Sequence, residues 1–314
     1  MNNHVNLGIS AQYQLRVYRA DQSLKCTAPW SHNIVTAAGL DYFLLGETHY
    51  PVAVAGSGAT DPTLNDTKLA SYLGKSGSTK AMKSTVNTET SPYSVTKILT
   101  FRFDPGSFGE NANIAEVGIA LDSNATATTP IISRSLIRDE TGKKTVISVL
   151  KDEFVEVDWA LTLSLKESSG TFKMTIDGSE KEFGYTIKPA RMSQAQTNYG
   201  WGIAETITPL PPISINTQNG FTRAHASQTL GPVTDTVSEA VSSPCSEAHS
   251  QPYTSGSFSR GYTIVFGLDS ANFSIGAFTL LLNAFAVQMR IDPMIEKTAS
   301  KTFSLTYGVS LANV

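Results

Sequence analysis

Two carboxylates, Glu156 and Asp158, have a spacing that acid-base chemistry could use. They lie two residues apart in a segment where apolar and polar residues alternate, so both project from one face of a strand, about 6.6 Å apart. Paired carboxylates of this kind cleave glycosidic bonds. The same face also carries Thr162 and Ser164, which is typical of a solvated outer surface. The pattern therefore favours a structural face over a hydrolase site, and we predict that the chain is not an enzyme.

The other residue types that carry chemistry form no recognisable site. Gly74-Lys75-Ser76 looks like the end of a phosphate-binding loop, but Leu69 stands where that loop requires its first glycine. No two histidines have the spacing of a metal-binding pair; they are His4, His32, His49, His225 and His249. We therefore predict no catalytic residue, no metal site and no cofactor.

The composition is poor in charge and rich in small polar residues. Charged residues make up 16% of the 314 positions, against about 25% in an average globular protein. Ser, Thr, Asn and Gly replace them, which suits many short strands and turns. The length allows two domains of ordinary size. A net charge of −3 provides no basic surface, so we predict no nucleic-acid partner.

The two cysteines and the apolar segments indicate the redox environment of the protein and whether it enters a membrane. Cys26 and Cys245 are too few for a disulfide scaffold, and we predict two unpaired thiols; the alternative is one bridge between the halves. Residues 1–6 lack the basic and apolar regions of a signal peptide. The apolar run Phe278–Val287 is too short to span a bilayer. We therefore expect a soluble protein without membrane insertion.

The elements that would position these side chains are mainly strands. The segment Lys97–Leu165 organises the chain as three or four antiparallel strands separated by turns rich in Asp, Asn, Pro and Gly. In its last strand, every odd position from Val155 to Leu165 is apolar, as expected for a strand with one buried face. We predict a helix over His32–Phe43 with Thr36 as its N-cap, and an exposed polar excursion over residues 74–92.

The order of parts repeats in the second half of the chain. The hairpin Leu15–Trp30 corresponds to Phe172–Ile187, and the strand Val155–Leu165 corresponds to Lys301–Leu311. We interpret this as an internal duplication, with a chance alternation of strands as the alternative. The predicted fold class is all-β with minor α, as two antiparallel β-sandwich domains at residues 1–167 and 168–314. The second contains a long loop at 208–256, with a short helix over Thr234–Val241.

Several segments resemble tail-associated virion proteins of tailed bacteriophages. Leu15–Asp21 followed by His32–Asp41 is similar to their opening, a hairpin followed by the pattern N-x-V/I-T-x-x-G-L-D. Further similar segments are Asn113–Ile119, Ile132–Ile137, Glu153–Val157, Ile187–Arg191 and Trp201-Gly202. The resemblance spans most of residues 12–311, and its motifs are structural rather than catalytic.

The resemblance implies a structural protein of the tail, tail tip, baseplate or fibre attachment. Such a protein is synthesised in the host cytoplasm and acts in the virion, assembling with copies of itself, as a trimer or hexamer, and with other tail proteins. The residues that we expect at the contacts are Trp30, Arg134, Trp159, Trp201 and Tyr253. The alternative function is a receptor- or glycan-binding module of the tail, which would place the loop 208–256 against a host surface glycan or receptor.

Overall fold

The computed structural model describes residues 4–45, 51–77, 79–190, 192, 224–234, 243–282 and 286–314. Within these ranges the protein is all-β with one helix, α1 (Ala37–Leu45), which confirms the predicted fold class. The first strands are β1 His4–Tyr18, β2 Leu24–Val35, β3 Val52–Gly56, β4 Tyr72–Lys75, β5 Thr79–Asn87, β6 Tyr93–Phe103, β7 Ala112–Ile114, β8 Glu116–Ala120, β9 Ile131–Leu136, β10 Ile147–Val149 and β11 Phe154–Leu165. The others are β12 Ser168–Ile176, β13 Ser179–Ala190, β14 Ala224–Ser227, β15 Ser243–Pro244, β16 Glu247–Ser250, β17 Ser259–Phe266, β18 Ser274–Leu281, β19 Ala286–Glu296 and β20 Phe303–Asn313.

β1 is the central strand of the largest sheet. Its buried residues alternate from Val5 to Val17, so one face lies on the core. Along one edge, residues 7–18 pair antiparallel with β11. Along the other edge, residues 4–9 pair in parallel with β20 and residues 11–18 pair antiparallel with β2. This strand therefore joins both halves of the chain in one sheet.

The other strands extend from β1 or form two separate sheets, of which the smaller pairs β7 with β10. One arm runs β1-β11-β6-β5, a second runs β1-β20-β17-β16, and a third runs β1-β2-β9-β8-β3-β4. The separate six-stranded sheet has the order β12-β13-β19-β18-β14-β15. One large apolar cluster contains buried residues from both halves. The division into two sandwich domains at residue 167 stays a prediction, and the pairing of β20 with β1 crosses it.

The strand pairing repeats between the halves, as the sequence predicts. In the first half the hairpin β1–β2 continues to β9, β8, β3 and β4, and in the second the hairpin β12–β13 continues to β19, β18, β14 and β15. The series β5-β6-β11 likewise corresponds to β16-β17-β20. This order favours duplication over chance. It breaks where β20 pairs with β1 and not with β12. The short β7–β10 pair of the first half also has no counterpart among the described residues of the second half.

Helix α1 begins at the predicted cap. The Oγ1 atom of Thr36 accepts a hydrogen bond from the N–H of Gly39 at 3.1 Å, and this satisfies an unpaired donor of the first turn. The Thr36 hydroxyl itself donates to the carbonyl oxygen of Ile131 at 2.7 Å. The predicted helix start at His32 is wrong, because β2 continues to Val35 and pairs there with β9.

The prediction of an exposed excursion at residues 74–92 is wrong, and the predicted helix at Thr234–Val241 lies mostly outside the described residues. Residues 74–92 contain β5, which pairs antiparallel with β6, so they are not a simple exposed excursion. The sequence of β5 does not show the alternation of apolar and polar residues expected for a strand, because small polar residues such as Ser84 take half-buried positions. Most of the helix predicted at Thr234–Val241 lies outside the described residues. The described parts of the predicted loop 208–256 contain β14, β15 and β16.

Candidate interaction surface

Trp30 is the predicted contact residue that lies on the surface. The pairing of β2 with β1 shifts beside it: Ser31 pairs with Tyr13, whereas Ala28 pairs with Leu15. Two residues of β2 therefore oppose one residue of β1, and a β-bulge of this kind redirects a side chain. Trp30 is 39% exposed. Its indole is thus available to a partner.

Arg134 is buried, which corrects its prediction as a surface contact. Its Nε and Nη2 atoms each lie 2.8 Å from Oε2 of Glu116. Nη1 donates to Oδ2 of Asp66 at 2.6 Å, and Nη2 donates to both oxygens of Thr60 at 3.0 Å. The physical reason is that β8 and β9 bury residues on both faces, so a charge there needs internal partners.

Glu116 ties the same cluster to a loop. Its buried carboxylate accepts N–H groups of Gly58, Ala70 and Ser71 at 3.0, 3.2 and 2.8 Å. A Cβ at Gly58 would lie 2.3 Å from Oε1 of Glu116, so only glycine fits there. Burial raises the pKa of Asp66, but the hydrogen bond from Arg134 and those from Thr63 outweigh it and lower that pKa. The charged groups of this cluster therefore bind each other and backbone N–H groups, and they connect the loop to β8 and β9.

Trp159 belongs to the core, which also corrects its prediction as a contact. It is 1% exposed and lies on β11 between Tyr13 of β1 and Leu99 of β6. Its Nε1 has no hydrogen-bond partner in the part of the chain that the structure describes. The odd positions of this strand face inward, and Trp159 is one of them. Its function is packing.

Tyr253 is half-buried and holds a loop against α1, whereas Trp201 lies outside the described residues. The Tyr253 hydroxyl donates to Oδ1 of Asp41 at 2.5 Å. The Ser255 hydroxyl donates to Oδ2 of the same carboxylate, and the N–H of Gly256 donates to Oδ1 at 2.9 Å. One carboxylate on the helix thus fixes a segment from the second half of the chain.

These contacts shift the pKa values of both partners. Burial, followed by the hydrogen bond and charge of Asp41, raises the pKa of Tyr253 to about 12. Burial also raises the pKa of Asp41, but hydrogen bonds from Ser255, Tyr253 and Gly256 outweigh it and lower that pKa. The ionised carboxylate is therefore the form that the fold stabilises.

Arg260, which follows this segment, binds the C-terminal end of α1. Its Nη1 donates to the carbonyl oxygens of Leu44 and Leu45 at 2.7 and 3.2 Å. Its Nε donates to the carbonyl oxygen of Gln251 at 3.1 Å. A cation at this end also complements the helix dipole.

Replacing Asp41 with asparagine is expected to loosen this junction. The neutral amide accepts fewer and weaker hydrogen bonds, so we expect a loss of about 1–2 kcal/mol in the free energy of unfolding and faster amide exchange at residues 253–257. The carboxylate contributes stability above its unfolded pKa, and this contribution is lost as the pH falls through its lowered folded pKa. Urea unfolding and hydrogen-exchange mass spectrometry measure both effects. The exposed Asp269 supplies the control variant Asp269→Asn, and equal exchange in both variants would contradict the role of Asp41.

The carboxylates with hydrolase-like spacing bind an arginine on the neighbouring strand. Nη2 of Arg16 lies 3.3 Å from Oε2 of Glu156 and 2.9 Å from Oδ2 of Asp158. The Thr100 hydroxyl donates to Oδ1 of Asp158 at 2.6 Å. These contacts link β1, β11 and β6 side by side. The arrangement agrees with a structural role for this face. The face is not a solvated surface at this point, because Asp158 is buried and Glu156 is half-buried.

The described residues contain a free thiol but neither a metal-binding cluster nor a membrane-spanning helix. Cys26 is a free thiol, so it forms no bridge to Cys245, and burial raises the pKa of Cys26. Among the described residues, no group of three or more His, Cys, Asp and Glu side chains is placed to hold a metal ion. Within the same ranges, no helix has the length and apolar character that crossing a membrane requires.

Two exposed apolar residues that the sequence did not indicate, Leu24 and Leu150, adjoin one ion pair, and a third, Val146, precedes β10. The Nζ atom of Lys25 lies 2.7 Å from Oε2 of Glu153, and the same carboxylate oxygen accepts the N–H of Leu150 at 2.8 Å. Lys25 also donates to a carbonyl oxygen of β10. The first residue of β2, Leu24, is thereby held beside the turn after β10. Leu24, Val146 and Leu150 are 53%, 55% and 48% exposed.

We call Leu24, Trp30, Val146 and Leu150 the β2 surface, in which Trp30 lies six residues, about 20 Å, along β2 from Leu24. No protein-family model, curated protein or solved structure matches the chain. The sequence hardly indicates that the three aliphatic residues are exposed, because an apolar residue at the end of a strand is usually part of the core.

Proposed function

We propose that the chain is a structural component of a bacteriophage tail, which assembles with copies of itself and docks onto neighbouring tail proteins. The observation that supports this best is the β2 surface, where large apolar side chains are exposed on one strand and the adjoining turn. The resemblance of Leu15–Asp21 and His32–Asp41 to tail-associated proteins supports the proposal that the particle is a tailed bacteriophage. The place in the tail would be the tip, the baseplate or the fibre attachment.

A partner that binds the β2 surface would bury its apolar side chains. Moving a large apolar side chain out of water stabilises a complex by about 1.5–3 kcal/mol, and tryptophan is enriched among the residues that dominate interfaces. The β2 surface is also held in place before binding. The bulge orients Trp30, and the Lys25–Glu153 pair connects the start of β2 to the turn at Leu150. A fixed surface loses less conformational entropy on binding.

The test is incorporation into tails. We expect the wild-type chain in purified tails of the phage that encodes it, and we expect the variant Trp30→Ser to bind partner tail proteins about 30-fold more weakly, which corresponds to a hot-spot loss of about 2 kcal/mol. Quantitative mass spectrometry of purified tails and binding titrations measure these outcomes. Circular dichroism verifies that the variant is folded.

Leu268→Ser is the matched control, since Leu268 is 51% exposed and lies outside the β2 surface. It should be incorporated like the wild-type chain. Absence of the wild-type chain from purified tails would overturn the proposal. Equal incorporation of both variants would keep the tail assignment but remove the β2 surface as its contact.

A further inference from the structure

The edge of β12 is where the repeat between the two halves breaks. The first strand of the first half, β1, pairs with β11 on its outer edge. Its counterpart β12 would pair with β20, but β20 pairs with residues 4–9 of β1 instead. β12 therefore ends the six-stranded sheet, and its outer edge has no strand partner among the described residues.

The turn after β12 determines which backbone groups point outward. Asp177 and Gly178 connect β12 to β13 and both have positive φ, 53° and 79°, as in a type I′ hairpin turn. The flanking pair Ile176–Ser179 is then hydrogen-bonded, and hydrogen-bonded pairs alternate along the ladder. The residues whose N–H and C=O groups point away from β13 are Ser169, Thr171, Lys173 and Thr175. They form an unpaired ladder ready for another strand.

The charges along this edge exclude one register for a second copy and allow another. Lys173 is the one charged residue of β12, and its exposed amine lies 2.8 Å from a carboxylate oxygen of Glu180 on β13. Glu167 directly precedes the strand. If two copies pair antiparallel with their Thr171 residues opposite each other, Lys173 faces Ser169 of the second copy. It is then a diagonal neighbour of Glu167 of the second copy, which is favourable. A register centred on Lys173 would oppose two like charges.

We infer that β12 is a self-association edge, which pairs antiparallel with β12 of a second copy of this chain around a two-fold axis at Thr171. This joins the six-stranded sheets of two copies into one continuous sheet. The inference deepens the proposed assembly function and rests on it, since it names the partner and the surface for contacts between copies. The two-fold axis makes the contact self-complementary.

Cysteine crosslinking tests the register directly. In the paired copies, the two Thr171 Cα atoms would lie about 5.5 Å apart, within the range of about 4.4–6.8 Å that a disulfide requires. In a Cys26→Ser, Cys245→Ser background, we expect Thr171→Cys to form a covalent dimer on mild oxidation. The control Thr175→Cys should not, because the two equivalent atoms would lie about 26 Å apart.

Proline substitution tests the backbone contacts. Thr171→Pro removes an outward N–H without removing a bond to β13, and proline is tolerated on an edge strand. We expect its dimer dissociation constant, measured by analytical ultracentrifugation, to rise at least about tenfold, whereas Thr171→Ala keeps the N–H and should behave like the wild-type chain. Crosslinking at Thr175, or a wild-type monomer at high concentration without crosslinking at Thr171, would overturn the inference.

The two proposals fail in different assays. If Thr171→Cys does not crosslink but the wild-type chain is found in purified tails, the β12 edge is not the contact and the tail assignment stands. If Thr171→Cys crosslinks but the wild-type chain is absent from tails, the pairing stands and the proposed function is wrong. Pairing of β12 with a strand of a different tail protein would appear as a mixed crosslink, which also overturns the self-association.

Discussion

Replacing Arg134 with methionine is expected to lower the free energy of unfolding by about 3–5 kcal/mol, the cost of leaving a buried charge without its partner. Glu116 is fully buried and would lose both contacts with the guanidinium group. Asp66 and Thr60 would lose their arginine hydrogen bonds as well. Urea unfolding followed by tryptophan fluorescence measures the loss.

Two further variants separate charge from volume. Arg138→Met removes a partly exposed arginine that contacts the carbonyl oxygen of Gly142, and we expect a change below about 1 kcal/mol. The double variant Arg134→Met, Glu116→Gln removes both charges and should recover part of the loss. Equal stability of Arg134→Met and Arg138→Met would show that the internal ion pair does not stabilise the fold.

Replacing Lys97 with methionine is expected to stabilise the protein. Lys97 is 1% exposed and lies on the inward row of β6 between Val95 and Leu99. It has no ion-pair partner among the described residues, and burial lowers its pKa to about 8. A shift of this size corresponds to about 3 kcal/mol of cost for the charged amine at pH 7. Methionine has a similar shape and carries no charge to desolvate.

The stabilisation should depend on pH in a defined direction. Below pH 8 the amine is protonated in both states, so the full cost is present. As the pH rises from about 8 to about 10.4, the unfolded chain binds the proton more tightly than the folded one, and the wild-type protein regains this stability. The difference between wild type and Lys97→Met should therefore decrease over that range. The raised tyrosine pKa values affect both proteins equally and cancel in the comparison.

Lys83→Met is the matched control, because Lys83 is an exposed lysine on the adjacent strand β5. Its unfolding free energy should differ little from that of the wild-type chain at any pH. Thermal and urea unfolding from pH 7 to 10 measure all three proteins. A Lys97→Met variant that is less stable than the wild type at pH 7 would show that the amine has a stabilising contact.

The sequence predicted those features of the fold that depend on local patterns. The alternation in β11, the hairpin Phe172–Ile187 and the cap at Thr36 each follow from neighbouring residues. The order of strand pairs also repeats, as the two halves of the sequence suggest. The helix start was wrong because His32–Val35 suits either a strand end or a helix start.

Burial of particular polar and aromatic residues could not be predicted in the same way. Trp30 and Trp159 both lie in strands, but a bulge exposes the first and the core encloses the second. Lys97 occupies an apolar position, and Arg134 is buried because distant residues complete its ion pair. Each outcome depends on contacts between residues far apart in sequence. The candidate interaction surface was therefore predicted only at Trp30.

The parallel pairing of β1 with β20 has a consequence for how the chain folds. The Asn6–Ser310 hydrogen bond in this pair joins residues 304 positions apart, so the contact order is high and folding is expected to be slow. On the ribosome, the edge of β1 that receives β20 stays open while about 300 further residues are synthesised. An open strand edge during synthesis favours association with other strands, so this chain is expected to depend on chaperones more than its final stability would suggest.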